Sequence, residues 1–319
     1  MQVRRSLAAV IAVGSLFLVA ACGGDDLDDE SSGNDESSSA PADKGTVHIS
    51  GQSFTEAAIV AAMYDELLTD AGYTTDVKLV DTRDAYMATF PGDVDVVPEY
   101  VGGIVNFLNA KANGAKAEPF TAGDGQELAD QGKTLLDDAK ISLLDLSSAT
   151  DTNAFFVSKE YSDSEGVTTL SDLSGKSVVL AAAPDCKGRL DCEGGLSDQY
   201  GIDITKVLPL GYASDQTYQS VLDGESQLGE TSTTDGTLES QGLLVLEDDQ
   251  QIQPAQNLVP AVSTDFLDEH PDVADVLNPL MAALTTENLT ELNGQVAVDR
   301  QKPEDVAHQF LEDQGLLQS

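Results

Sequence analysis

The sequence predicts an α/β fold built as two hinged lobes, and three observations predict it. Strand-like and helix-like segments alternate from Thr46 to the C-terminus. About 275 residues follow the N-terminal leader, enough for two modest domains with real cores. Two polar or proline-containing stretches, 146–153 and 248–257, lie between strand-like runs where a chain can pass from one lobe to the other.

The first series of elements begins with a short strand at 47–50. A helix over 55–71 places Ile59, Met63, Leu67 and Leu68 on one face and ends at Gly72. A strand over 75–80, a helix over 83–90 stopped by Pro91-Gly92, and a buried strand at 95–97 before Pro98 come next. A helix at 126–139 and a strand at 141–146 complete this series. The second series has strands at 154–158 and 177–182 with a helical turn at 170–173 between them. A helix at 215–223 closed by Gly224 and strands at 227–230 and 243–247 follow. The last third is mostly helical, over 265–269, 271–285, 287–296 and 303–314. The alternation predicts mainly parallel sheets. No internal repeat of solenoid period is present.

The leader has its own logic. Arg4 and Arg5 precede an uninterrupted apolar and small-residue run over 7–21, which ends in Val19-Ala20-Ala21 before Cys22. That order is a secretory signal peptide, shorter than the roughly 20 residues of a spanning helix. A Cys directly after the small residues is where a bacterial lipoprotein signal places its acylated residue, so Cys22 is the expected lipid site. Residues 22–45 are acidic and rich in Ser and Gly, with no apolar periodicity, and read as a flexible leash. Their aspartates lack the ligand spacing of an EF-hand loop.

The formal net charge of −40 argues against nucleic acid and anionic membrane surfaces as partners. The acidic residues are spread along the chain and read as a hydrated surface. Besides Cys22 only Cys186 and Cys192 remain. Outside the cell such a pair is most economically a disulfide closing a small loop. A metal site or redox pair has no support, because His48, His270 and His308 are scattered and no CxxC occurs. No cofactor is expected. There is no G-x-S-x-G elbow, no H-E-x-x-H and no Cys with a His partner, so an enzyme is not expected either.

Two α/β lobes on an exported lipoprotein point to a solute-binding protein. The expected division is residues 1–21 as signal peptide and 22–45 as lipidated linker. Residues 46–147 plus 256–319 form lobe I, and 148–255 form lobe II.

Short stretches along nearly the whole mature chain resemble the glycine betaine/carnitine/choline-binding proteins of osmoprotectant ABC transporters. Ser53-Phe54-Thr55-Glu56 is similar to that family's NFTE, and Asp95-Val96-Val97-Pro98-Glu99-Tyr100-Val101-Gly102 to its D-x-x-P-E-Y-x-G. Thr233-Thr234-Asp235-Gly236 is similar to STDG, and residues 244–249 to VVLEDD, with Pro254 at the expected distance. Leu292-Asn293-Gly294-Gln295-Val296 is similar to L-N-x-x-V. The resemblance implies a periplasmic-binding-protein-like (type II) fold with an interlobe ligand cleft. It also implies capture of a small solute for an ABC permease and its ATPase by a monomer that meets the membrane only through its lipid.

A quaternary ammonium has no N–H to donate, so aromatic faces must select it by cation–π attraction. By resemblance Tyr100 is a cage tyrosine, Tyr212 lies where some members place another, and Arg189 falls on a carboxylate-binding arginine. Asp185 falls near the cation, Gln52 on a polar contact position, Thr234 in the TTDG stretch among the ligand residues, and Asp151 at the first crossing, where a backbone carbonyl approaches the cation. Tyr218 reads as packing on its helix. The family carries Tyr where this chain has Asn153, Ser232 and Gln256, and Thr where it has Gly103. Asn153 and Gln256 offer donors and acceptors in place of aromatic faces. Two further readings follow: the same transport role for a more hydrogen-bonded solute, polyol-like or a ring-containing zwitterion, and a ligand-sensing partner of a membrane receptor.

Overall fold

The computed structural model describes residues 44–114 and 116–317. The signal segment, Cys22 and all but the last residues of the acidic leash lie outside the described residues. Among those described, no helix is long and apolar enough to cross a membrane.

The first series contains β1 (Thr46–Gln52), α1 (Thr55–Asp70), β2 (Thr74–Val80), α2 (Arg83–Met87) and β3 (Val96–Tyr100). It continues through α3 (Val101–Asn113), α4 (Gly125–Asp138) and β4 (Ile141–Leu143). The second contains β5 (Asn153–Ser158), α5 (Lys159–Glu165), β6 (Ser177–Ala182), α6 (Glu193–Asp198) and β7 (Asp203–Pro209). It ends with α7 (Asp215–Leu222), β8 (Leu228–Ser232), α8 (Leu238–Gln241) and β9 (Leu243–Leu246). The chain then returns as β10 (Leu258–Ser263), followed by α9 (Thr264–Glu269), α10 (Asp272–Ala283), α11 (Thr286–Ala297) and α12 (Pro303–Asp313).

These strands make two five-stranded sheets, ordered β2-β1-β3-β10-β4 and β7-β6-β8-β5-β9. The sheets are mixed, not mainly parallel. β1 runs parallel to β2 and β3, but β10 is antiparallel to both β3 and β4. In the second sheet β6 is parallel to β7 and β8, while β5 is antiparallel to β8 and β9. The reversed strands, β5 and β10, are the first ones the chain enters after passing between the sheets. Each therefore starts from the side where parallel strands end.

Helices cover both faces of the first sheet. On one, α1 presents Ile59, Val60, Met63, Tyr64 and Leu68 to Val47, Ile49 and the apolar sides of α10, α11 and α12. On the other, α3 and α4 bury Ile104, Val105 and Leu128 against Val97, Val259 and Ala261. Each fully buried large side chain contributes about 1.5–3 kcal/mol relative to exposure. The second sheet is covered on one side by Leu170, Leu173, Leu196 and Tyr200 and on the other by Tyr218 and Leu238.

One local expectation fails and one helix had no signature in the sequence, each for a clear reason. The strand expected to stop before Pro98 runs on to Tyr100. Pro98 lies directly opposite Pro260, and two facing prolines fit where a pair exchanges no N–H···O bonds. Helix α3 was not legible, since Gly102-Gly103 at its start lower helix propensity. Tertiary contact demands the first glycine and leaves the second against a side chain. A Cβ on Gly102 would stand 2.4 Å from the Ala255 carbonyl oxygen, and one on Gly103 would stand 2.5 Å from the Arg83 guanidinium.

That guanidinium anchors the turn into α3. Arg83 Nε and Nη2 donate to the buried Glu99 carboxylate at 2.8 and 3.0 Å, and the Tyr86 hydroxyl donates to the same group. The Tyr100 N–H donates to Glu99 Oε2 at 2.9 Å. Removing the arginine leaves a buried carboxylate without its counter-charge. Arg83→Ala is expected to cost roughly 3–5 kcal/mol of stability, measured by denaturant unfolding.

Candidate functional site

The two stretches that join the sheets lie side by side. Leu258 N–H donates to Ala149 O at 2.9 Å, Asp151 N–H donates to Gln256 O at 3.2 Å, and Thr150 pairs with Asn257 as an antiparallel bridge. Where this ribbon opens toward the second sheet there is a cavity of about 120 Å³. Its walls come from the first crossing (Asp151, Thr152, Asn153), the second crossing (Gln253, Pro254, Gln256), the disulfide loop (Asp191) and the loop after β7 (Tyr212). Roughly 300–1,000 Å³ is usual for drug-sized ligands, so this cavity suits a solute of few atoms.

Cys186 and Cys192 are joined as a disulfide. The loop they close carries Arg189, and the arginine is already occupied. Its Nε and Nη2 donate to the two Asp191 oxygens at 2.9 and 2.6 Å, and Nη1 donates to Asp185 at 3.2 Å. These partners, Asp191 first, hold its charge more firmly than usual. Asn153 Nδ2 donates to Asp191 Oδ2 at 3.2 Å, and Gln253 Nε2 donates to Asp191 O at 2.8 Å. The cavity wall at this point is therefore the carboxylate of Asp191. Arg189 stands behind it, and Asp185 is largely exposed.

Tyr212 is placed by a strained turn. Gly211 has φ 114° and Ala213 φ 44°, a left-handed conformation that costs a non-glycine residue about 1 kcal/mol or more. The ring is 43 % exposed. Burial of its hydroxyl, then the charges of Asp151 and Glu230, push its pKa up, against a hydrogen bond with Ser232.

Beneath the crossings is a cluster of carboxylates. Glu56, in the first turn of α1, is buried and accepts from the Tyr100 hydroxyl. Asn293 Nδ2, from α11, donates to Glu56 Oε2 at 2.7 Å and to Thr234 O at 3.0 Å, tying the first lobe to the turn after β8. Asp151 sits over this cluster. Burial and then the charge of Glu56 push its carboxyl up to about 7, opposed by hydrogen bonds from Ser232 and Thr234, with Asp235 adding repulsion. Its Oδ1 is buried without a hydrogen-bond partner.

Of the residues expected at the site, Asp151, Asn153, Tyr212 and Gln256 line the cavity. Ser232 faces Asn153 across the β5–β8 ladder, and Thr234 is buried beside it. Tyr100 is only 8 % exposed and lies under Phe54, their rings 6.3 Å apart and nearly parallel. Gln52 ends β1 and does not line the cavity. Gln256 is partly committed, since its Oε1 accepts from Gly103 N–H at 2.9 Å at the start of α3. Tyr218 packs on Phe156 and donates to Asp235 at 2.5 Å. Asp191 and Gln253 were not singled out from the sequence. The available signal for Asp191 was its place two residues beyond Arg189 in the loop the cysteines close.

Residues 45–313 match the family described as the substrate binding domain of the ABC-type glycine betaine transport system. The chain belongs to that family. It is similar to a glycine-betaine-binding protein of Pseudomonas aeruginosa, 27 % identical over 288 residues, covering 85 % of this chain and 89 % of the relative. It is 26 % identical over 275 residues to the glycine betaine-binding protein YehZ of Escherichia coli, covering 82 % and 88 %. The fold is similar to a solved structure described as a glycine betaine/carnitine/choline ABC transporter. The TM-score is 0.73 at 22 % identity, covering 86 % of this chain and 99 % of that one. The two relatives are binding proteins and the family is a substrate binding domain, so the chain is not an enzyme.

The raised Asp151 carboxyl makes a pH prediction. Its pKa in the folded protein, about 7, lies above the value near 3.9 expected unfolded. The folded state therefore holds an extra proton between those values, and stability falls as pH rises through that window. Above it the cost of the buried charge is complete. Asp151→Asn is expected to raise the melting temperature of the ligand-free protein at pH 8, with the gain shrinking toward pH 5, as followed by thermal unfolding.

Proposed function

We propose that this chain captures a small osmoprotectant of the glycine betaine, choline or carnitine class between its two lobes and delivers it to an ABC permease and its ATPase. The observation that carries this reading is the cavity between the two crossing segments, because lobes that move about that ribbon open and close it. Lobe I is read as 46–147 plus 256–319 and lobe II as 148–255. Asp151, Asn153, Tyr212 and Gln256 are the ligand contacts in that cavity, with Ser232 and Thr234 behind them. Tyr100 and Gln52 join on closure from the first lobe, and Arg189, itself braced by Asp185, acts from the disulfide loop by holding Asp191 in the wall.

A more hydrogen-bonded solute is a second reading with its own support. Tyr212 is the one aromatic side chain in the cavity wall, and Asn153, Gln253 and Gln256 bring amides to it. Calorimetric titration with glycine betaine, choline, carnitine and a polyol panel separates the two. Heat from at least one quaternary amine is expected, and silence from all of them would sink the osmoprotectant reading.

The protein is read as a monomer working outside the cytoplasm, held to the outer face of the cell membrane through lipid on Cys22. The acidic leash keeps the binder near its permease. Cys22→Ser is expected to release the protein into the medium with its solute affinity unchanged, as judged by fractionation and titration of the released form. Retention at the membrane would refute the anchor.

A further inference from the structure

The fixed charges around the cavity do not balance. Two carboxylates, Asp151 and Asp191, line it. The nearby cation, Arg189, is engaged by Asp191 and Asp185 and lies behind the wall. A zwitterion brings one negative end that must meet a free cation or a set of donors. Two of the three amides in the wall, Asn153 and Gln253, already donate hydrogen bonds to Asp191. A cation brings only what the wall lacks.

Asp151 itself lacks a partner on one side. Glu56 faces it from α1 and Asp235 from the turn after β8. The Tyr100 hydroxyl from β3 lies near both Glu56 and Asp151, and the Tyr212 hydroxyl from the loop after β7 near Asp151 and Glu230. Asp191 stands across the cavity with Arg189. Hydrogen bonds from Ser232 and Thr234 are the compensation Asp151 receives, and its buried Oδ1 has none. An ionised carboxylate in that setting needs either a proton or an external positive charge.

We propose that the cleft selects an organic monocation over a zwitterion, and that the cation is taken up in exchange for a proton on Asp151. This rests on the reading of the cavity as the solute site. In the empty protein below about pH 7 Asp151 carries the proton. When an ammonium head enters, the carboxyl ionises, the proton leaves to solvent, and the new ion pair replaces the O–H. The reaction is protein-COOH plus cation giving protein-carboxylate·cation plus one proton. The chain's large negative charge raises the local concentration of such a ligand at low ionic strength.

The test is calorimetric titration of the purified protein with choline, dimethylethanolamine (the same cation with one N–H) and glycine betaine. Titrations are made at pH 5.5 and 8.0, in buffers of different ionisation enthalpy so that released protons are counted. One or both cations are expected to bind more tightly than glycine betaine. Their affinity is expected to fall about 30-fold from pH 8.0 to 5.5 as protons compete, with close to one proton released per ligand at the lower pH. In Asp151→Asn the pH dependence should vanish. A ligand-free check is carbon NMR of the Asp151 carboxyl, expected to titrate near neutrality and to shift well below that when choline is bound.

Tighter binding of glycine betaine, affinity independent of pH, or an Asp151 that titrates in the ordinary carboxylate range would each overturn the exchange while leaving solute capture standing. Failure of all three compounds to bind would overturn the exchange together with the osmoprotectant reading.

Discussion

The hydrogen-bonded ribbon formed by the two crossing segments is what the rest of the molecule depends on. Leu258 N–H to Ala149 O and Asp151 N–H to Gln256 O hold the outgoing and returning chains together. Asn257 Nδ2 adds a bond to Ser147 O at 2.9 Å. The pairing sets the direction in which β5 and β10 enter their sheets, hence their antiparallel place among strands that are otherwise parallel. It also fixes Asp151 beside Gln256, so the cavity floor is made of backbone that both sheets share.

Buried charge is handled differently in the structural and functional parts of the chain. Glu99 is almost wholly buried and meets Arg83, Tyr86 and the Tyr100 N–H. Glu56 meets Tyr100 and Asn293, and Glu230 accepts from Ala183 N–H at 2.7 Å. Each meets at least one donor, as burial of a carboxylate requires. Asp151 receives hydrogen bonds from Ser232 and Thr234, but burial and the charge of Glu56 outweigh them and its carboxyl is harder to ionise. The surface pairs, such as Lys133–Asp137 and Lys140–Asp265, are well exposed and contribute little to stability. Asp151, in the cavity wall, keeps a buried Oδ1 with no hydrogen-bond partner.

Several short motifs acquire a physical reason in three dimensions. The last residue of the 53–56 stretch is Glu56, which meets Asn293 of the 292–296 stretch through a buried hydrogen bond. Gly236, ending the TTDG stretch, lies against Gly294, where a Cβ would stand 2.3 Å from the Gly294 backbone nitrogen. Three stretches distant in sequence thus meet at one interlobe contact. Their residue types answer packing and charge at that contact.

The sequence by itself determined the class of fold, the alternation of elements, the core face of α1 and the cysteine pair, because periodicity and turn residues act locally. It also carried the family, through ordered motifs spread along the chain. Tertiary structure alone decided the mixed sheets, the helix begun by Gly102-Gly103, and the composition of the cavity wall. Arg189 looked like a free clamp in sequence. In the folded loop it is held by Asp191, a partner two residues away that it grips on both oxygens. Tyr100 looked like an open aromatic face and lies under Phe54. Which side chain meets solvent depends on contacts between elements far apart in the chain, and no local pattern records them.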